Sequence, residues 1–211
     1  MNKLSIIIVG IDGWSEWTLP ALRSIRKYEP DTQVIIVDNG SKIPYPITLD
    51  HKTLVIRLKD TQSYTKAINQ GVLWGRESEW YLILNNDIEF RSYISDIVDN
   101  LDNSFIYGKQ IIESGGHRWL GLWLALIPKK VWDVVGKFDE NFRSCGFDDA
   151  DYCIRAKNLG IDTLHINFPI IHYGTRTLPK LPNHKSDREK NIDYFEKKHG
   201  FRPDKYRVIA E

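Results

Sequence analysis

Cysteine is nearly absent: 211 residues carry only Cys145 and Cys153. Two thiols build no disulfide framework, and these two have no partner thiol at metal-ligand spacing. A reduced, cytoplasmic setting is the simpler expectation. No charge of one sign dominates either. Lys and Arg total 29 against 28 Asp and Glu, a formal net charge of +1, so charge gives no reason to expect a nucleic-acid partner. Long apolar runs are also missing. None approaches the ~20 residues of a bilayer span, so no integral membrane segment is expected. The apolar run in "MNKLSIIIVG" falls short of the ~7–15 residues of a secretory signal core. There is no internal repeat and no low-complexity tract.

What remains is ordinary for a globular chain, 42% hydrophobic and 27% charged, and of a length that fits one large domain, 1–211. Seven tryptophans and ten tyrosines are more notable: such rings pack cores, but they also line sites that hold sugars and bases. "LSIIIVG" and "QVIIVD" read as strands buried on both faces, and "LVIRL" and "EWYLILNND" as two more. Helical spacing marks 15–30 and 61–75 between them, so the first half alternates strand and helix. That alternation predicts an α/β fold with a mostly parallel, Rossmann-like central sheet flanked by helices. In the second half, "WLGLWLALIP" reads as one strand and "KKVWDVVG" as a short helix closed by Gly136. A helix follows over "DDADYCIRAKNLG", a strand region over "IDTLHINFPIIHYG", a proline-bearing mobile loop over 175–186, and a last helix from Asp187.

Polar residues gather where strands end, which is where parallel sheets bind ligands. Asp38 closes "VIIVD" in "DNGS", a sequence that also suits a plain turn. Asp87 follows Asn85 and Asn86 after "YLIL", and carboxylates and amides are hard oxygen ligands suited to Mg²⁺ or Mn²⁺. Asp148, Asp149 and Asp151 crowd ahead of an apolar helix. Three roles fit them: a helix cap, a metal site, or a proton acceptor.

"VDNGS", "SYTKAINQG", "LNNDIEF", "KFDENF", "DDADYCIRAKNLG" and "HYG", in this order, resemble the family 2 glycosyltransferases of GT-A fold. The likeness spans Leu4 to about Thr175. The A-x-N-x-G signature is matched by Ala67, Asn69 and Gly71, and G-x-F-D-E-x-F by Gly136, Phe138, Asp139, Glu140 and Phe142. Where the family often carries D-x-D, this chain has Asn85 and Asp87. Its usual Glu-Asp is Asp148-Asp149 here, and its usual Pro-Thr after the first strand is Val9-Gly10.

The resemblance implies an inverting, metal-dependent transfer of a sugar from a UDP-, dTDP- or GDP-linked donor to a glycan, lipid-linked or protein acceptor, in glycan or surface polysaccharide synthesis. Residues 1–104 would bind the donor and 105–211 the acceptor, in the cytoplasm or peripheral to a membrane. It implies Mn²⁺ or Mg²⁺ held by Asp87 and His172. Val9, Gly10, Asp38, Lys66, Asn69, Asn86 and Asp87 would contact the nucleotide sugar, with Asp38 on base or ribose and Lys66 or Arg57 near phosphate. Asp149 would be the catalytic base beside Asp148, and Asp151 a structural or acceptor-orienting group. "SGGHRW" is a candidate acceptor loop in which His117 is expected to be exposed. Two other readings compete. A sugar-phosphate nucleotidyltransferase needs a glycine-rich, arginine-bearing loop after the first strand, and "VGIDGWSEW" lacks the arginine and repeated glycines. A binding module without catalysis would not need Asp87, Asp149 and His172 together.

Overall fold

The computed structural model describes residues 2–47, 50–144, 146–174, 184–203 and 205–210. The elements are β1 (Asn2–Gly10), α1 (Leu19–Tyr28), β2 (Gln33–Asp38), β3 (Thr53–Arg57), α2 (Tyr64–Trp74) and β4 (Ser78–Asn85), then β5 (Ile88–Phe90), α3 (Ser95–Asp99), β6 (Ile106–Gly108), β7 (Ile111–Ser114) and β8 (His117–Leu120). They continue with β9 (Leu124–Pro128), α4 (Lys129–Val135), α5 (Asp148–Asn158), β10 (Thr163–His165), β11 (Ile170–His172), α6 (His184–His199) and β12 (Arg207–Ala210). A π-helical turn over Trp14–Thr18 leads into α1.

Seven strands form the central sheet in the order β10-β6-β9-β4-β1-β2-β3. All neighbours run parallel except β9, which is antiparallel to both β4 and β6. The α/β architecture expected from the alternation is therefore present. β1 lies inside the sheet between β4 and β2, with Ile6, Ile7 and Ile8 all fully buried, because successive side chains enter opposite faces and both faces are covered. Ile7, Val37 and Ile83 join the cluster under α2, α4 and α5, and Ile6, Ile36 and Leu82 the cluster under α1 and α3.

One expected strand and one expected strand region are each two strands in different sheets. "WLGLWLALIP" breaks over Gly121–Trp123: β8 joins a three-stranded sheet, β12-β7-β8, while β9 enters the central one. "IDTLHINFPIIHYG" breaks likewise, β10 pairing with β6 and β11 pairing antiparallel with β5. Continuous apolar composition reports burial and is silent on a change of sheet. The last helix starts at His184 rather than Asp187, so 184–186 are helical, and the remainder of the loop expected to be mobile, 175–183, lies outside the described residues. No helix among the described residues is long and apolar enough to cross a membrane.

Candidate active site

Register sets the floor of the site. Gly10 is level with Asp38 across β1–β2, and Val9 with Asn85 across β1–β4, so the carboxyl ends of three parallel strands open on one place, as the rule for such sheets requires. A cavity of about 370 Å³ lies there, within the size range of small-molecule sites. Val9, Gly10, Asn39, Asn86 and Asp87 come from the strand ends, Tyr64 from α2, Gln110, Leu122 and Trp123 from around β7–β9, and Ser144, Gly146, Asp148 and Asp149 from the approach to α5; His172 completes the lining. Gly10 is required by close approach: a Cβ there would stand 2.7 Å from Tyr45 Oη and 3.0 Å from Asn86 Nδ2.

Asp87 lies two residues past β4 and is buried. Its Oδ1 is 3.1 Å from His172 Nε2, held there because β11 pairs with β5, the strand that Asp87 introduces. The His172 ring stacks on Trp123 at 4.6 Å and 8°, which fixes the imidazole plane. Asn85 Oδ1 accepts from Tyr64 Oη at 2.8 Å, so the amide oxygen in the first D-x-D position is tied to α2, while the Asp87 carboxylate faces His172. Among the described residues no three His, Cys, Asp or Glu side chains gather as a metal cluster. The pair nevertheless fits a hard divalent cation. Two adjacent ligands each ~2.1 Å from an octahedral ion stand about 3 Å apart, and Mg²⁺ is ordinarily held by one or two protein groups with phosphate and water filling the rest.

Facing the same cavity is the start of α5. Its lead-in is a left-handed run: Ser144 has φ 43°, Gly146 111° and Phe147 66°. Non-glycine residues in that region cost on the order of 1–3 kcal/mol each and persist where surroundings enforce them. None of the three aspartates caps the helix, since Phe147 holds the cap position without a side-chain bond. Asp148 accepts from Gly146 N at 2.7 Å, and Asp149 accepts from the backbone of Ala150 and Leu122. Burial raises the proton affinity of both carboxyls above the ordinary carboxylate range, and for Asp149 the neighbouring Asp148 charge adds to it. The helix dipole would act the other way, and burial prevails.

Asp151 points elsewhere. It is fully buried and meets Arg155 at 2.9 Å, Lys198 at 2.6 Å and His199 at 2.8 Å. Burial opposes its charge, but bonds from His199 and Lys198 with the Arg155 charge overcome this, leaving its carboxyl below the ordinary range. Asp151 thus locks α5 to α6.

Several expected ligand contacts are used up inside the fold. Asp38 is fully buried, and its carboxylate accepts from Ser41 N at 2.9 Å, Tyr45 N at 3.1 Å and Arg57 Nη1 at 2.6 Å. It shapes the 38–45 turn and does not line the cavity; its neighbour Asn39 does. Arg57, engaged by Asp38 and Ser41 O, is correspondingly not at hand for phosphate. Lys66 is exposed on α2 and absent from the lining. Asn69 is buried and turned to structure: its amide accepts from Phe138 N at 3.1 Å and donates to Phe138 O at 3.0 Å and Glu140 Oε1 at 2.9 Å. Gly71 packs on β1, where a Cβ would come within 2.4 Å of Ile7 Cγ2. The A-x-N-x-G and G-x-F-D-E-x-F segments are therefore one interlocked unit. His117 is exposed as expected, stacked on Phe201 at 4.3 Å. Asn39, Tyr64, Gln110, Trp123 and Ser144 line the cavity without having been singled out in the sequence; only Asn39, in "VDNGS", and Tyr64, in "SYTKAINQG", lay within motifs that carried a local signal.

The architecture has solved counterparts. A GalNAc-T7 structure with UDP, GalNAc and Mn²⁺ superposes with TM-score 0.67 at 11% identity, covering 92% of this chain and 48% of that one. The mannosyltransferase PcManGT from Pyrobaculum calidifontis, in complex with GDP-Man and Mn²⁺, gives 0.68 at 13%, covering 96% of this chain and 66% of its own. S. aureus TarS gives 0.58 at 15%, covering 80% and 36%. The fold is that of the GT-A glycosyltransferases. This chain spans between about a third and two thirds of the length of these GT-A proteins. No protein-family model matches the sequence, and no curated protein does.

Proposed function

We propose that the chain is a metal-dependent, inverting glycosyltransferase that moves a sugar from a nucleoside diphosphate to an acceptor hydroxyl. The observation that carries this reading is that one cavity at the carboxyl end of the sheet contains both the Asp87–His172 pair and the proton-avid Asp149. The first suits a cation that bridges phosphates; the second suits a group that must take a proton near neutral pH. The GT-A fold, shared with proteins solved with UDP or GDP-Man and Mn²⁺, supports the donor class.

Asp87 Oδ1 and His172 Nε2 would hold Mn²⁺ or Mg²⁺, which when bound neutralises charge on the departing diphosphate. Val9, Gly10 and Asn86 provide a floor on which the donor can lie close to backbone. Asp149 accepts the acceptor hydroxyl's proton as that oxygen attacks the anomeric carbon, and Asp148 raises its neighbour's proton affinity. Direct displacement of this kind inverts the anomeric centre. In this division of labour 1–104 supply most of the donor site, His172 reaches the cation from the second half, and 105–211 otherwise supply the base and receive the acceptor, whether glycan, lipid-linked or protein.

A panel of UDP-, dTDP- and GDP-sugars tested for thermal stabilisation with Mn²⁺, followed by hydrolysis and transfer assays, checks the reading. One or more donors should raise the melting temperature only with the metal present, since binding to the native state stabilises it. If every donor leaves the melting temperature unchanged with Mn²⁺ and with Mg²⁺, the proposal fails.

A further inference from the structure

The bend that delivers Asp148 and Asp149 to the cavity is held from outside the cavity, by one face of α6. Asn191 is almost fully buried there. Its Oδ1 accepts from Arg143 N at 2.8 Å, and its Nδ2 donates to Arg143 O at 2.8 Å and to Gly146 O at 3.1 Å. One turn earlier on the helix, Asp187 Oδ2 accepts from Ser144 Oγ at 2.5 Å. The Phe147 ring sits against Phe195 with centroids 6.2 Å apart, and the Arg188 guanidinium lies 5.0 Å over its face. Each residue of the left-handed run that the structure describes is thus gripped by α6. Gly146 is the junction, since its carbonyl is fixed by Asn191 while its N–H is the donor to Asp148 Oδ1.

A left-handed run containing Ser and Phe relaxes toward ordinary backbone unless its surroundings over-determine it. Were it to relax, Gly146 N would leave Asp148, and the first turn of α5 would open to water. We infer that Asn191 is a positioning residue for the reaction: a side chain that touches neither substrate nor cation but sets where the Asp148–Asp149 pair stands. Asp187 assists through Ser144. This rests on the glycosyltransferase reading for what the pair does, but not for where the pair is held.

The test uses the full chain with carboxyl-¹³C-labelled aspartate, titrated by NMR between pH 4 and 9. The pair's resonances are identified by their loss in Asp148→Asn and Asp149→Asn. In the wild type they should titrate above the ordinary carboxylate range, because burial disfavours both charges. In Asn191→Ala the higher midpoint should fall by one pH unit or more, a tenfold loss of proton affinity, as water reaches the pair. Asp187→Ala, at a partly exposed position, should shift it in the same direction by less, and it decides the matter if Asn191→Ala does not fold. The other charged groups packed on this turn, Arg188 over Phe147 and Asp151 with Arg155, Lys198 and His199, are unchanged in both variants. Affinity for UDP or GDP with Mn²⁺ should be retained, because Asp87 and His172 lie on other elements. Unchanged midpoints in both variants, accompanied only by a lower melting temperature, would make Asn191 mere structural glue and overturn the inference. A parallel loss of nucleotide affinity would overturn it as well. A wild type that binds none of UDP, dTDP and GDP with Mn²⁺ refutes the glycosyltransferase reading instead, and the titration still decides the role of Asn191.

Discussion

Asn in place of Asp149 keeps the side chain's size and most of its hydrogen bonding, and removes its ability to take a proton. Transfer should fall by roughly 10²–10⁴-fold, the usual worth of a general base, with nucleotide affinity little changed; Asp149→Asn with near wild-type turnover would rule out the assignment. Asp148→Asn should cost less, since that carboxylate acts through its neighbour. At the other side of the cavity, Asp87→Ala and His172→Ala should each remove the Mn²⁺-dependent part of nucleotide stabilisation and leave the metal-free melting temperature near that of the wild type. Isothermal titration with and without Mn²⁺ reads this directly, and an unchanged metal dependence in Asp87→Ala would show that the cation is held elsewhere.

Between elements, the bond set around Asn69 makes a separable prediction. Asn69→Ala strands the buried Phe138 N–H and C=O, a loss of about 1–3 kcal/mol for each buried group left unpaired, while the folded fraction should bind nucleotide with unaltered affinity. Denaturant melts beside nucleotide titrations would reveal the opposite pattern if Asn69 were a ligand contact. The same residue shows what could be read from the sequence. The strand-helix alternation, the two-faced burial of β1 and the placing of Asp87, Asp149 and His172 on one cavity followed from local pattern and motif order. The use of Asn69 and Asp38 did not, because an amide or carboxylate at a strand end or on a helix looks the same in sequence whether it faces a ligand or a backbone N–H. Nor did the split of "WLGLWLALIP" between sheets, or β12, whose pairing with β7 joins residues such as Arg207 and Glu113 that no short window contains. Asn191, on a helix of mixed polarity, gave no signal at all.

Over the whole molecule, four buried or half-buried carboxyls act in opposite directions with pH. Asp139 and Asp151 have lowered folded-state values, through Lys198 and its neighbours acting against burial; their contribution is complete above the unfolded-chain value near 4 and is lost as pH falls through the folded values. Asp148 and Asp149 have raised values, so the native state keeps protons that the unfolded chain has released, and stability declines as pH climbs from about 4 through the folded values. Melting temperature should therefore peak on the acid side of neutrality, and Asp149→Asn should move the peak upward, with a gain over wild type that widens between about pH 5 and 8. A gain that stays constant over this window would contradict the burial argument. The interior place of β1 acts on another timescale. Its neighbours are β2 and β4, and β4 ends at Asn85, far along the chain from Gly10. At ~5–20 residues per second of synthesis, β1 waits roughly 4–15 s for β4 to be made. During that interval "SIIIVG" has at most one edge paired and its side chains lack their full cover, so on the ribosome this segment would expose an apolar, half-paired strand for seconds.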